Sequence, residues 1–365
     1  MVHVAQISFF SDLQQREPEQ LLHDWPTLVE VAEAPVAAGT RVTVIQASTH
    51  NAQFERNGVR YHFQPMEESF LRHLIKQTRP DVLHVSGLGF MRETLALRAL
   101  APSTPIVLQD HKDGIPRRIW RWQLARRGFA AAQAVFFCAA DQAKPFRRLG
   151  LLSERTRVIE MPESSCRWMP REREAARRDT GMHGEPAMLW VGHLNENKDP
   201  LPVLEAVSLA ARELPALQLW CCYGTAPLMP EVQARIDADP HLRGRVHLLG
   251  PQPHERIEML MSAADFFVLG SHREGSGYAV MEALACGLPP LVTDIPSFRA
   301  MTAEGTVGRL WPCGDAHALC KALLDLQAQP QAALRAEARA WFDRDLSPAA
   351  LGRKLHAAYV DLARG

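Results

Sequence analysis

Short β-rich runs alternate with helical stretches along this chain, and the alternation runs twice. The first series is VHVAQISF, RVTVIQ, VRYHF, DVLHVS, PIVLQD and AVFFCA, ending with RVIEM near residue 160. The second is AMLWVG, LQLWCCY, RVHLLG, DFFVLG and PPLVTD. Such alternation indicates parallel strands covered by helices, since parallel strands need long crossovers and are buried on both faces. It predicts an α/β protein of two Rossmann-like, doubly wound domains. Two such domains facing one another would form a cleft at the carboxyl ends of their strands, where ligands of these folds bind. A length of 365 residues agrees, being too long for one ordinary core.

The expected division places an N-terminal domain over 1–165 and a linker over 166–186, where PESSCRWMPREREAARRDTGMHGEP is polar, charged and holds three prolines. A second domain follows over 187–342. The tail, 343–365, carries Leu351, Leu355, Ala358, Tyr359 and Leu362 at helical spacing.

Several function classes are excluded early. With 41 basic and 41 acidic side chains the net charge is zero, so nucleic acid is not an expected partner. MVHVAQISFFSD has no basic n-region, and no segment approaches the apolar length of a membrane span. A cytoplasmic protein is expected, at most peripheral at the inner membrane face. Seven cysteines without CxxC or Cys/His ligand spacing argue against a disulfide framework or structural zinc. Neither strand-helix junction that opens a domain carries GxGxxG, which disfavours a dinucleotide oxidoreductase.

The stretch that points to chemistry is EGSGYAVMEALACGLPPLVTD, residues 274–294. Gly275 and Gly277 loosen its entry, Ser276 is a candidate N-cap, and Tyr278 to Cys286 has helical periodicity until Gly287 and Pro289 stop it. A helix opening after a glycine-rich loop offers backbone N–H groups and partial positive charge to a phosphate. Glu274 and Glu282 frame that site.

This arrangement resembles the signature of the retaining, nucleotide-sugar-dependent glycosyltransferases of the GT-B fold, in the group-4 family. Their mark is two glutamates separated by seven residues, a Gly-rich loop after the first and an ACG-P segment after the second; Ala285, Cys286, Gly287 and Pro289 supply the latter here. LWVGHLNENKDPLPVLEAV is similar to the family's glycine, arginine and lysine pattern, with Gly192 and Lys198 in place and His193 where arginine is usual. The resemblance implies a hexosyltransferase that moves a sugar from a UDP- or GDP-linked donor to an acceptor hydroxyl with retention, without metal or cofactor. The acceptor would be a glycan, a lipid-linked molecule or a small molecule.

It implies roles as well. Lys198 and His193 would meet the diphosphate, Gly192 would let it approach, and Glu282 would take the ribose hydroxyls. Glu274 and His111 would face the sugar, with Gly275, Ser276, Gly277, Tyr278 and Ala279 lining the donor site. Catalytic weight would fall on Glu274, His111 and Lys198. A histidine at 193 could bind a diphosphate, with a pH dependence that arginine would not show.

Other readings stay open at this point. Taken alone, Lys198 reads as a solvated loop lysine, Glu282 as a solvent-facing helix residue and His111 as a hydrogen-bonded structural histidine. The chain departs from the family where SFFSDLQQREPEQLLHDWP replaces a Gly-Gly loop after the first strand. This leaves a catalytically weak sugar-nucleotide-binding protein, or a GT-B epimerase or phosphorylase, as alternatives. Asp237-Ala238-Asp239 reads as turn and cap chemistry rather than as a metal motif. PRRIWRWQLARR, residues 116–127, reads as an exposed helix face with its tryptophans against the sheet, or as a membrane-surface patch.

Overall fold

The structure is a computed structural model that describes residues 1–110, 114–115, 122–162 and 165–365. The chain divides into two compact units, Met1–Ser165 with Pro348–Gly365, and Cys166–Ser347.

The first unit is built on an eight-stranded sheet. Its strands are β1 (His3–Ser8), β2 (Arg41–Ala47), β3 (Ala52–Arg56), β4 (Val59–Gln64), β5 (Val82–Ser86), β6 (Ile106–Gln109), β7 (Ala134–Phe137) and β8 (Arg157–Glu160), in the order β3-β4-β2-β1-β5-β6-β7-β8. All neighbours run parallel except β3 and β4. Alternate side chains feed opposite faces, as strand geometry requires. Ala5, Ile7, Leu83 and Val85 join one apolar cluster, whereas Val4, Val82 and Val107 join another.

The second cluster is completed by the last helix, Pro348–Arg364, through Leu351, Leu355, Ala358, Tyr359 and Leu362. Tyr359 is buried, and its hydroxyl lies 2.7 Å from His84 Nδ1 and accepts from Gln6 Nε2 at 3.2 Å. The same helix lies against Pro26–Ala37 so closely that a Cβ on Gly352 would come within 2.2 Å of the Ala34 carbonyl oxygen.

The second unit holds a wholly parallel six-stranded sheet. Its strands are β9 (Ala187–Val191), β10 (Gln218–Cys222), β11 (Val246–Gly250), β12 (Phe266–Leu269), β13 (Pro290–Thr293) and β14 (Arg309–Trp311), ordered β11-β10-β9-β12-β13-β14. Strands β12 and β13 are buried throughout, which their unbroken apolar runs require. Cys221 and Cys222 are buried core residues.

Residues 166–186, expected as a connection, instead belong to this unit. They carry a helix, Arg173–Thr180, whose Ala176 is buried, and Met182 beyond it is buried too. The charges that made the segment look like a linker are paired to the body. Arg173 and Arg177 donate to Asp265 at 2.6 and 2.8 Å, and Asp265 also accepts from the Ala187 N–H at 2.8 Å.

Two strands escaped the sequence reading. Strand β3 is a largely exposed edge joined to β4 by Asn57-Gly58, both at positive φ, so the Asn-Gly hairpin signal was present and unused. Strand β14 spans three residues at the opposite edge of the second sheet. Among the described residues no helix is long and apolar enough to cross a membrane.

Because no Cβ fits between Gly352 and the Ala34 carbonyl, Gly352→Ala must push the two helices apart. We expect it to destabilise the first unit by about 1–3 kcal/mol despite alanine's better helix propensity. Urea unfolding of both forms checks this; equal midpoints would mean the contact gives way without cost.

Candidate functional site

Two loops of the second unit meet at the carboxyl ends of the adjacent strands β9 and β12. The first, residues 192–199, follows β9; the second, residues 270–277, follows β12. Gly270 is what lets them touch. A Cβ there would lie 2.7 Å from the Asp199 carbonyl oxygen and 3.0 Å from that of Lys198. No other residue fits without moving backbone.

Four contacts among the described residues then join the loops. The His272 N–H donates to the Asn197 carbonyl at 2.8 Å, and Asn197 Nδ2 returns a bond to the Arg273 carbonyl at 3.0 Å. His272 Nε2 lies 2.9 Å from the Asp199 carboxylate. The fourth contact is an ion pair between Lys198 Nζ and Glu274 Oε1, whose side chains are only 19% and 14% exposed. Lys198 is further fixed at its backbone, where the N–H donates to Asn195 Oδ1 at 2.9 Å.

Asp199 then turns the chain into the helix Pro200–Ala210. It stands at φ 48, in the left-handed region, which aspartate tolerates better than most residues. Gly192 precedes this turn; its N–H donates to Cys222 at 3.1 Å, and a Cβ on it would press Leu269 at 3.2 Å. His193 is directed elsewhere. Its Nδ1 accepts from the Thr225 N–H at 3.0 Å, so the neutral ring carries its proton on Nε2.

The second loop leads into the helix Tyr278–Ala285. Its N-cap is Gly277 at φ 60, not Ser276, which corrects the sequence expectation. Sterics decide the matter. A side chain at 277 would be strained in the left-handed region and would meet Phe298 and Met301 at 3.0 and 3.1 Å. Ser276 is buried just before it, and Tyr278 is partly exposed at the helix start with Ala279 behind it.

Glu282 lies one turn further along. Its carboxylate takes part in no hydrogen bond or ion pair among the described residues, and desolvation pushes its pKa up to about 7. A poorly hydrated carboxylate without a partner, beside a helix start, is the sort of group that functional sites keep.

Of the residues singled out from sequence, Gly192, Lys198, Glu274, Gly275, Ser276, Gly277, Tyr278, Ala279 and Glu282 thus stand on two touching loops and one helix. His193 sits at the start of the first loop. His111 lies outside the described residues, as does most of the arginine-rich stretch before Trp122. Asp239 of the DxD stretch holds a helix end together, accepting from Ser208, Arg235 and the His241 N–H. The sequence reading missed Gly270, Asn195, Asn197 and His272. The first of these carried a usable signal, a glycine at the end of an apolar strand run.

The chain is similar to known proteins in both of its units. The family model "Glycosyl transferases group 1" matches residues 185–329, and "Glycosyltransferase Family 4" matches residues 27–161. A GDP-mannose:cellobiosyl-diphosphopolyprenol alpha-mannosyltransferase of Xanthomonas campestris is 26% identical over 235 residues, covering 62% of this chain and 60% of the relative. A D-inositol 3-phosphate glycosyltransferase of Nocardia farcinica is 28% identical over 208 residues, covering 55% and 45%. The chain thus spans about half of these curated relatives' length. Among solved structures, sucrose-phosphate synthase from Thermosynechococcus elongatus superposes with a TM-score of 0.66 at 18% identity, covering 99% of each chain. Anabaena HepE in complex with UDP superposes at 0.69 and 14%, covering 99% of this chain and 100% of that one. The fold is shared with both.

The Glu282 carboxyl binds its proton more tightly folded than unfolded, so ionising it costs stability as pH rises from about 4.5 to about 7, and the loss is complete above that. Glu282→Gln should escape this loss. We expect the variant to gain on the order of 3 kcal/mol over wild type between pH 4.5 and 8. Thermal unfolding across that range reads it; parallel pH profiles would contradict the assignment.

Proposed function

Since the chain belongs to the family 4 and group 1 glycosyltransferases of the GT-B fold, we propose that it is a retaining, metal-independent glycosyltransferase using a nucleotide-diphosphate sugar. The observation that carries this reading is the Lys198–Glu274 pair on two interlocked loops, with Glu282, which has no partner among the described residues, one turn into the helix that follows. Each charge suits one part of such a donor.

Lys198 is the cation for the diphosphate. A dianionic group beside it competes for its ammonium with Glu274, and the carboxylate so released accepts hydrogen bonds from hydroxyls of the transferred sugar. Glu282 suits the ribose, whose vicinal hydroxyls supply the two donors its carboxylate lacks; binding favours the ionised form. His193 would offer Nε2–H to a phosphate oxygen while Nδ1 stays on Thr225. The start of Tyr278–Ala285 adds the positive end of a helix dipole. His111 is assigned to the sugar on the same reading.

Retention is compatible with what these residues supply. None is needed as a nucleophile if the acceptor hydroxyl attacks on the face the diphosphate leaves and gives its proton to a departing phosphate oxygen. The protein's part is then to hold donor and acceptor in place and to stabilise charge on the leaving group. By their names, two relatives act on a diphosphopolyprenol-linked glycan and on D-inositol 3-phosphate, so lipid-linked and small phosphorylated acceptors both lie within the family.

Lys198→Ala and Glu274→Gln should each lower sugar transfer from a UDP- or GDP-sugar by about 100-fold or more, the usual cost of removing one group that stabilises the transition state. Release of UDP or GDP, measured with and without an acceptor mixture, reads this. Rates equal to wild type would show that the site is not catalytic; wild-type binding without turnover would mark a sugar-nucleotide-binding protein.

A further inference from the structure

Residues 195–199 make a single helical turn, in which the Asn195 carbonyl accepts from the N–H groups of Lys198 at 3.1 Å and Asp199 at 2.9 Å. Asp199 then leaves the turn at φ 48 and ψ 69, in the left-handed region that glycine enters freely and an L side chain enters at a cost. The backbone has little room to settle otherwise, because the carbonyls of Lys198 and Asp199 are crowded against Gly270.

The Asp199 carboxylate is not spent on the partner usual for its position. It stands immediately before the helix Pro200–Ala210, where an aspartate on extended backbone accepts from N–H groups of the first turn, yet its side chain makes no such bond. It reaches across to the other loop instead. His272 Nε2 lies 2.9 Å from Asp199 Oδ2, and since an ionised carboxylate only accepts, Nε2 is the donor. With side chains 45% and 23% exposed, the pair adds nothing to the apolar core of the unit.

His272 itself stands on a fixed base. The carbonyl before it, that of Ser271, accepts from Thr293 Oγ1 on β13, and its own N–H donates to the Asn197 carbonyl at 2.8 Å. The ring is thus held from the sheet, and the carboxylate it grips belongs to the residue next to Lys198. Turning Asp199 turns Lys198 with it.

We infer that His272 is a positioning residue of the donor site: it keeps Asp199 in the left-handed conformation and thereby aims Lys198 at the donor's diphosphate. This rests on the transferase reading and adds to it a residue that acts through Asp199 rather than on the donor. The inference carries a specific demand. Glycine adopts φ 48 unaided, so His272 loses its task once residue 199 is glycine.

Calorimetric titration of the full chain with UDP and with GDP tests this. His272→Ala should weaken binding by about tenfold beside Asp199 and by less than about twofold in the Asp199→Gly background. His272→Gln, whose Nε2 can still donate to the carboxylate, should recover most of the loss. Asp199→Gly should bind better than Asp199→Ala. Urea unfolding of the same samples separates aiming from general stability. The inference is overturned if His272→Ala costs the same in both backgrounds, if Asp199→Gly binds no better than Asp199→Ala, or if His272→Ala lowers the urea midpoint while nucleotide affinity stays at the wild-type value. A wild type that binds neither nucleotide sinks the transferase reading and this inference with it, a result distinct from any difference among the variants.

Discussion

The candidate site depends on one close approach, that of the strand β12 terminus to the backbone of Lys198 and Asp199. Only with hydrogen at position 270 can the carbonyls of those residues come so near, and every other feature of the site follows from it. The approach brings two loops from neighbouring strands within hydrogen-bonding range, and Asn197, Asp199, His272 and Arg273 then fix them in register. Lys198 and Glu274, 76 residues apart, meet because the backbone beneath them has nowhere else to go. An ion pair of two largely buried side chains is weak evidence for stability, since desolvation offsets most of its attraction. On the proposed function, it is two opposite charges of which a donor would use both.

The two glutamates of the motif, alike in sequence, differ in surroundings. Glu274 has a cation against it, whereas Glu282 sits desolvated on a helix with no partner among the described residues. A carboxylate with a raised pKa is costly to keep, and a ligand offering two hydroxyl donors removes that cost on binding. The spacing of seven residues between them therefore does more than mark a family. It sets one acid at the loop, against Lys198, and the other on the helix that follows.

Most of the architecture was legible because parallel strands buried on both faces leave unbroken apolar runs, as in FFVL and AVFF. Short edge strands leave no such mark, which is why β3 and β14 escaped notice. The segment 166–186 misled for a different reason. Its arginines read as a solvated connection because sequence shows charge but not its partner, and the partner, Asp265, lies some 90 residues away. At the candidate site, Lys198 and both glutamates were singled out by their resemblance to a family motif, while Gly270 and His272 were not, since their contacts are visible only where two loops cross. Ser276 failed as a cap because crowding by Phe298 and Met301 allows only glycine at the position that must turn left-handed.

The loop after β1 shows what replaces a glycine turn when the chain has none to use. Glycine gives a turn by freedom of the backbone; here the same bend is imposed by side chains, with Asp12 in place of backbone acceptors and Gln15 forced to φ 52. Asp12 is held ionised well below the usual carboxylate range by its hydrogen bonds with Arg16. A turn built this way holds its bend through side-chain hydrogen bonds rather than through backbone freedom. Leu13 and Phe10 stand exposed on this turn, at a small hydrophobic cost.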